Sequence, residues 1–137
     1  MLLGDPGGTH VIMAVAPETY TEGQTGPDVW VTVEAHVGAF SARLTTTVVR
    51  RDWDVFLEAS SRLEETRRGE AILESVIEAE LRVRIFATGS AGHVAIDGEL
   101  HRRDVRGEPA FRFVGVEFEP DRLSALLQEL RDAGPAV

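Results

Sequence analysis

The sequence contains no cysteine and no lysine. Without cysteine there is no disulfide, no thiolate metal site and no thiol nucleophile, and nothing marks an oxidising compartment. A cytoplasmic protein is therefore expected. Without lysine the Schiff-base and P-loop chemistries that depend on an amine drop out. All 14 basic residues are arginine, a bias that GC-rich coding also produces. Long apolar runs are missing too. No window approaches the roughly 20 apolar residues of a membrane-spanning helix. The opening MLLGDPGGTH has neither a basic start nor an apolar run of signal-peptide length. Neither membrane insertion nor export by that route is expected.

Positive charge is scarce beside negative: 14 Arg stand against 23 Asp and Glu, a net charge of −9. An acidic surface repels phosphate backbones, which disfavours nucleic acid and makes a basic protein the expected partner. No recognisable catalytic or metal-binding motif occurs along the chain. No catalytic residue, cofactor or metal is assigned.

What the chain does have is alternation. From Glu80 to Phe118 three runs of period two are separated by two polar breaks, as an antiparallel meander requires. Leu81, Val83, Ile85 and Ala87 fall on one face, with Glu80, Arg82, Arg84 and Thr88 on the other. In the next run Val94, Ile96 and Leu100 oppose His93, Asp97, Glu99 and His101. In the last, Phe111 and Phe113 share one phase and Val114, Val116 and Phe118 the other, so Gly115 is expected to mark a bulge that switches faces.

The rest of the chain reads in order. His10–Ala16 is a short strand ended by Pro17, and Pro17–Pro27 (PETYTEGQTGP) is a surface loop long enough to bind a partner. Asp28–Val37 alternates cleanly, with Val29, Val31, Val33, Ala35 and Val37 inward and Trp30, Thr32, Glu34 and His36 outward. Gly38-Ala39 breaks to a hairpin partner, Phe40–Arg50, whose expected inward set is Phe40, Ala42, Leu44, Thr46 and Val48. A helix follows, with Asp52 as N-cap and Trp53, Phe56, Leu57 and Leu63 on one face to about Thr66. Arg67-Arg68-Gly69 is expected to end it, with cations in the last turn and Gly just beyond. Glu70–Ile77 is read as a strand. Glu119-Pro120-Asp121 opens a final helix with a stripe of Leu123, Leu126, Leu127 and Leu130, stopped by Gly134-Pro135. The expected fold is a single α+β domain over residues 1–137. It has an antiparallel, strongly curved or two-layer sheet of about seven strands and two packed helices, in the order βββαββββα, without internal repeat.

Three groups of polar residues are candidate sites. His93, Asp97, Glu99 and His101 share a strand face, but residues two apart on a strand stand about 7 Å apart, so this row does not close on an ion. Glu34 and His36 flank an outward Trp30. The grouping suits a protein contact, since Trp is enriched among interface hot spots, or a bound ligand or a general base beside an aromatic platform, although no nucleophile or oxyanion donor can be placed nearby. A covering helix over Trp30 is the alternative, and Trp53 is expected as a helix-to-sheet anchor. The acids Glu58, Glu64, Glu65, Glu70, Glu74, Glu78 and Glu80 bunch in mid-chain. With Glu70–Ile77 as a strand, Glu70 and Glu74 share a face and could steer a basic partner, although Arg82 and Arg84 are placed to neutralise them.

The segments DVWVTVEAHVGAFSARLTTTV, DWDVFLEASSRLEE, LRVRIFATGSAGHVAIDGELHRR, AFRFVGVEFEP and DRLSALLQEL, over residues 28 to 132, have a layout that resembles a set of small bacterial proteins. The set includes the WapI-type immunity proteins that neutralise polymorphic toxins. The resemblance implies a cytoplasmic inhibitor that binds a cognate toxin domain and performs no catalysis. It rests on scaffold residues and supplies no binding residues to carry over. Two other readings compete: a small-ligand-binding domain or enzyme with a cleft in the curved sheet, and a structural homodimer paired through a sheet edge or Trp30.

Overall fold

The computed structural model describes residues 1–16, 28–76, 80–89, 92–102 and 109–134. The expected loop Pro17–Pro27 and the acid Glu78 lie outside them. The fold is α+β, in the order β1 (Leu2–Gly4), β2 (His10–Val15), β3 (Val29–Val37), β4 (Phe40–Val48), α1 (Arg50–Thr66), β5 (Glu70–Glu74), β6 (Leu81–Thr88), β7 (His93–Leu100), β8 (Phe111–Phe118) and α2 (Pro120–Ala133). Strands β1 to β4 form one antiparallel sheet in sequence order, and β5 to β8 form a second.

The described strands number eight, one more than the alternation gave. The addition is β1, whose three residues are too few to show a period and are extended only because they pair with Val11 and its neighbours on β2. With β1 in place the order becomes ββββα twice. The arrangement of elements thus repeats where the residues do not.

Each sheet buries one face. Val29, Val31, Val33 and Ala35 on β3, and Leu81, Val83 and Ile85 on β6, are at most 2% exposed. They join Trp53, Phe56 and Leu63 of α1 and Leu123, Leu126, Leu127 and Leu130 of α2 in one core. At about 2 kcal/mol for each buried leucine, the four leucines of α2 suffice to dock it. The helices also touch each other, with Ser124 donating to Glu64 at 2.6 Å and Arg131 to Ser61. Arg122 donates to the Leu2 carbonyl at 2.7 Å and so ties α2 to β1.

The two sheets meet along two seams. At one, β1 passes β8 so closely that a β-carbon at Gly4 would lie 2.9 Å from a methyl of Val116 and 2.7 Å from the Thr9 carbonyl. Gly4 also has a φ of +109°, which only glycine adopts freely. At the other, the Val76 N–H donates to the Thr47 carbonyl of β4 at 2.9 Å.

Several local expectations are corrected. Phe40 is 75% exposed, because the β3–β4 hairpin runs past the end of the core, on whose margin Val37 still packs half-buried. The inward phase of β4 holds from Ala42, which packs half-buried against the core, through Leu44, Thr46 and Val48. Helix α1 starts at Arg50 with Val49 as N-cap, so Asp52 sits in the first turn, where its charge favours the helix dipole, and makes no cap hydrogen bond. The helix ends at Thr66 as expected, but no cation lies in its last turn: Arg67 is the C-cap, with a φ of +57° and its N–H reaching the Leu63 carbonyl at 2.8 Å. Val114 is 81% exposed. The expected bulge does fall at Gly115, with a φ of +62° and a register shift between Ile96 and Gly98. One extra residue on β8 turns Phe113, Val116 and Phe118 all inward and leaves Val114 outside. Among the described residues, no helix is long and apolar enough to cross a membrane.

Candidate interaction surface

Both sheets have a second face that is not part of the core, and the two differ in chemistry. The second sheet's outer face is laced with charge. Glu70 and Glu74 project from β5 opposite β6, as the alternation required, and each finds an arginine there. Arg84 Nε lies 2.5 Å from Glu70, and Arg82 Nε lies 3.3 Å from Glu74. Arg84 also reaches Asp97 on β7 at 3.4 Å and places its guanidinium carbon 4.2 Å from the Phe86 ring centroid. Arg112 on β8 pairs with Glu99 on β7 at 3.3 Å. The negative patch expected from Glu70 and Glu74 is therefore matched by Arg82 and Arg84 on the neighbouring strand. Other members of the mid-chain acid group are engaged as well: Glu58 by Arg62 at 2.9 Å, Glu64 by Ser124.

His93 and His101 sit at opposite ends of β7. The His93 strand position faces Thr88, and His101 lies beyond Leu100, its N–H donating to the Glu80 carbonyl at 2.8 Å. Asp97 and Glu99 are committed to arginines between them. Among the described residues, no group of three or more His, Asp or Glu side chains is arranged to hold a metal ion.

The first sheet's outer face is built by β3, whose alternation turns Trp30, Thr32, Glu34 and His36 away from the core. Trp30 is half-buried on this face, whereas the helices pack on the other, so no helix covers it. The register sets its neighbours. Trp30 faces Thr47 on β4, Thr32 lies between Ala14 and Thr45, Glu34 between Ile12 and Arg43, and His36 between His10 and Ser41. The Thr32 and Thr45 hydroxyls are 2.8 Å apart.

Charge and hydrogen-bonding groups gather at the hairpin end. The His36 Nε2–H donates to Glu34 Oε2 at 3.0 Å, and the two side chains are 35% and 32% exposed. The His36 ring stacks on that of His10, with centroids 4.4 Å apart and planes within 17°. His10 Nδ1–H in turn donates to the Gly8 carbonyl at 2.9 Å and the Asp5 carbonyl at 3.2 Å. Parallel rings aim their nitrogen lone pairs in parallel, so the two imidazoles do not converge on a common ion.

The structure thus brings together the three residues singled out on β3 and separates them from Glu70 and Glu74, which lie on the other sheet. It adds two that the sequence did not flag. His10 stacks on His36 only because of the β2–β3 register. Ser41 is placed opposite His36 by the β3–β4 register, so that an acid, an imidazole and a hydroxyl share one row. No hydrogen bond links Ser41 to His36, so the nucleophile–base contact that activates a serine is not made. A hairpin signal at Gly38-Ala39 was the one clue to that pairing.

The chain was compared with protein-family models, with curated proteins and with solved structures, and it matches none of them.

Proposed function

We propose that this chain is a non-catalytic protein-binding domain whose contact surface is the outer face of the first sheet, centred on Trp30. One observation carries the reading: among the described residues, the second sheet's outer face pairs Glu70, Glu74, Asp97 and Glu99 with arginines of its own, while the first offers Ile12, Ala14, Trp30, Thr32, Thr45 and Thr47, with its described charged groups at the hairpin end. A patch of uncharged side chains around a tryptophan, rimmed by polar groups, is the composition of an interface centre. Glu34 and His36 supply the rim. The net charge of −9 supports a basic partner, since the whole protein's field speeds encounter with opposite charge. The resemblance of the sequence layout to that of immunity proteins supports a toxin domain as that partner, one encoded beside this gene.

The test is a titration of the full chain against that toxin domain by calorimetry, with Trp30→Ala alongside. The expected result is a one-to-one complex whose Kd rises about 30-fold in the variant, the equivalent of a hot spot of about 2 kcal/mol. Equal binding by the variant would remove the first sheet's face from the interface. A mass that doubles with concentration in sedimentation, and does so only with Trp30 intact, would instead assign the face to a second copy of the chain.

A further inference from the structure

On the reading that the outer face of the first sheet binds a protein, we infer that Arg43 selects the partner there: it takes the carboxylate of an Asp or Glu side chain on the basic surface that docks. Arg43 stands in the outward phase of β4, opposite to that of the buried Leu44, Thr46 and Val48. The residue is exposed, and among the described residues its side chain makes no ion pair or hydrogen bond.

An acid stands in the right place and does not pair with it. Glu34 lies directly opposite Arg43 in the β3–β4 register. On the second sheet Arg82, Arg84 and Arg112 each have a carboxylate opposite them in the same way, and each pairs with it: Arg82 with Glu74 at 3.3 Å, Arg84 with Asp97 at 3.4 Å and Arg112 with Glu99 at 3.3 Å. Arg43 is the exception because Glu34 is engaged along its own strand, by the His36 Nε2–H at 3.0 Å. His36 is held in turn by its stack on His10, and His10 by the Gly8 and Asp5 carbonyls. The contacts that begin in the β1–β2 turn end at Glu34. The Arg43 guanidinium is left as a free planar fork, which can meet a carboxylate bidentately without first breaking a pair.

Its position places it within reach of a partner seated on Trp30. Trp30 faces Thr47, and Arg43 lies four residues from Thr47 along the same face of β4, or about 14 Å at the rise of a strand. An interface of ordinary size covers about 800 Å² on each partner, a patch roughly 30 Å across, so Arg43 falls on its rim. There it can choose between partners. A net charge of −9 attracts any basic surface, which speeds encounter without discriminating. A lone cation at the rim repels a basic surface that has no acid opposite it and holds one that has, and a repulsive element combined with an attractive one is what makes an interface specific.

The experiment titrates full-chain variants against the toxin domain encoded beside this gene, by calorimetry. Arg43→Ala is expected to raise Kd about tenfold and Arg43→Glu about 100-fold, since reversal adds repulsion to the lost contact. Arg68→Glu makes the same change in net charge at an exposed residue beyond the end of α1, and its Kd should stay within about twofold of the parent value. The Asp and Glu residues of the toxin domain are then changed to Arg one at a time and titrated against Arg43→Glu. One of them should recover about tenfold or more of the lost affinity, as a charge pair rebuilt in reverse does. Full affinity in Arg43→Glu, an equal loss in Arg68→Glu, or no recovery by any toxin variant would each overturn the inference. Trp30→Ala separates the two proposals. Weakened binding in Trp30→Ala with full affinity in Arg43→Glu keeps the face and removes the role of Arg43, whereas full affinity in both variants, or no complex at all, removes the face and the inference with it.

Discussion

The ring of Phe113 lies across Gly98. A β-carbon at Gly98 would stand 2.1 Å from the Phe113 Cζ, far inside any real contact, and the two residues face each other in the β7–β8 register. Phe113 is 2% exposed. Glycine usually weakens a strand, but here its missing side chain is the space the ring occupies. Gly98→Ala is expected to destabilise the fold by about 1–3 kcal/mol through overpacking. Phe113→Ala should cost about 3–5 kcal/mol through the cavity it leaves. Urea denaturation of both singles and of Gly98→Ala/Phe113→Leu checks the pairing. A double variant that recovers none of the Gly98→Ala loss would place the strain elsewhere.

The bulge on β8 is held from across the strand pair. Gly115, at a φ of +62°, donates its N–H to Asp97 Oδ1 at 2.6 Å, and nothing lies within 4 Å of the position its β-carbon would take. Gly115→Ala should therefore cost only the backbone term, about 1–2 kcal/mol. Asp97→Ala removes the acceptor and should cost about 1.5–3 kcal/mol, the range for hydrogen bonds to charged groups. Asp97→Asn keeps an oxygen in place and should lose less. Equal losses in thermal melts for Asn and Ala would show that Asp97 acts through Arg84 instead.

Arg84 joins three strands, through Glu70 on β5, Asp97 on β7 and the Phe86 ring beside it. The Arg84 side chain is 35% exposed, which keeps its contribution near the surface-pair range, so Arg84→Ala should cost about 1 kcal/mol at low ionic strength. In 1 M NaCl, where the screening length falls to about 3 Å, the loss should shrink. Denaturation at two salt concentrations measures it. A loss that does not change with salt would assign Arg84 a packing role.

Phe40 and Leu44 share a phase on β4 but not an environment, at 75% and 7% exposure. Phe40→Ser is expected to change stability by no more than about 0.5 kcal/mol. Leu44→Ala should cost about 2–5 kcal/mol. Chemical denaturation of the pair would reveal any hidden contact of Phe40 as a loss comparable to that of Leu44.

The candidate site was partly legible beforehand. Alternation along β3 suffices to place Trp30, Glu34 and His36 on one outward face, because side-chain direction in a strand follows residue parity. Parity cannot say which strand lies alongside. For that reason His10 and Ser41 went unnoticed, and the neutralisation of Glu70 and Glu74 by Arg84 and Arg82 was visible only as a nearness in sequence.

Sequence by itself determined the element types, their order from β2 onward, the inward phase of most strands, the leucine stripe of α2 and the bulge at Gly115. Each of these follows from local periodicity, backbone preference or turn chemistry, which act over a few residues. Tertiary structure alone decided that Leu2–Gly4 is a strand, that Phe40 outruns the core, that the sheets meet at Gly4–Val116 and Val76–Thr47, and which arginine each carboxylate meets. Those outcomes depend on which distant surfaces exclude water together, and burial is a property of the assembled chain rather than of any stretch within it.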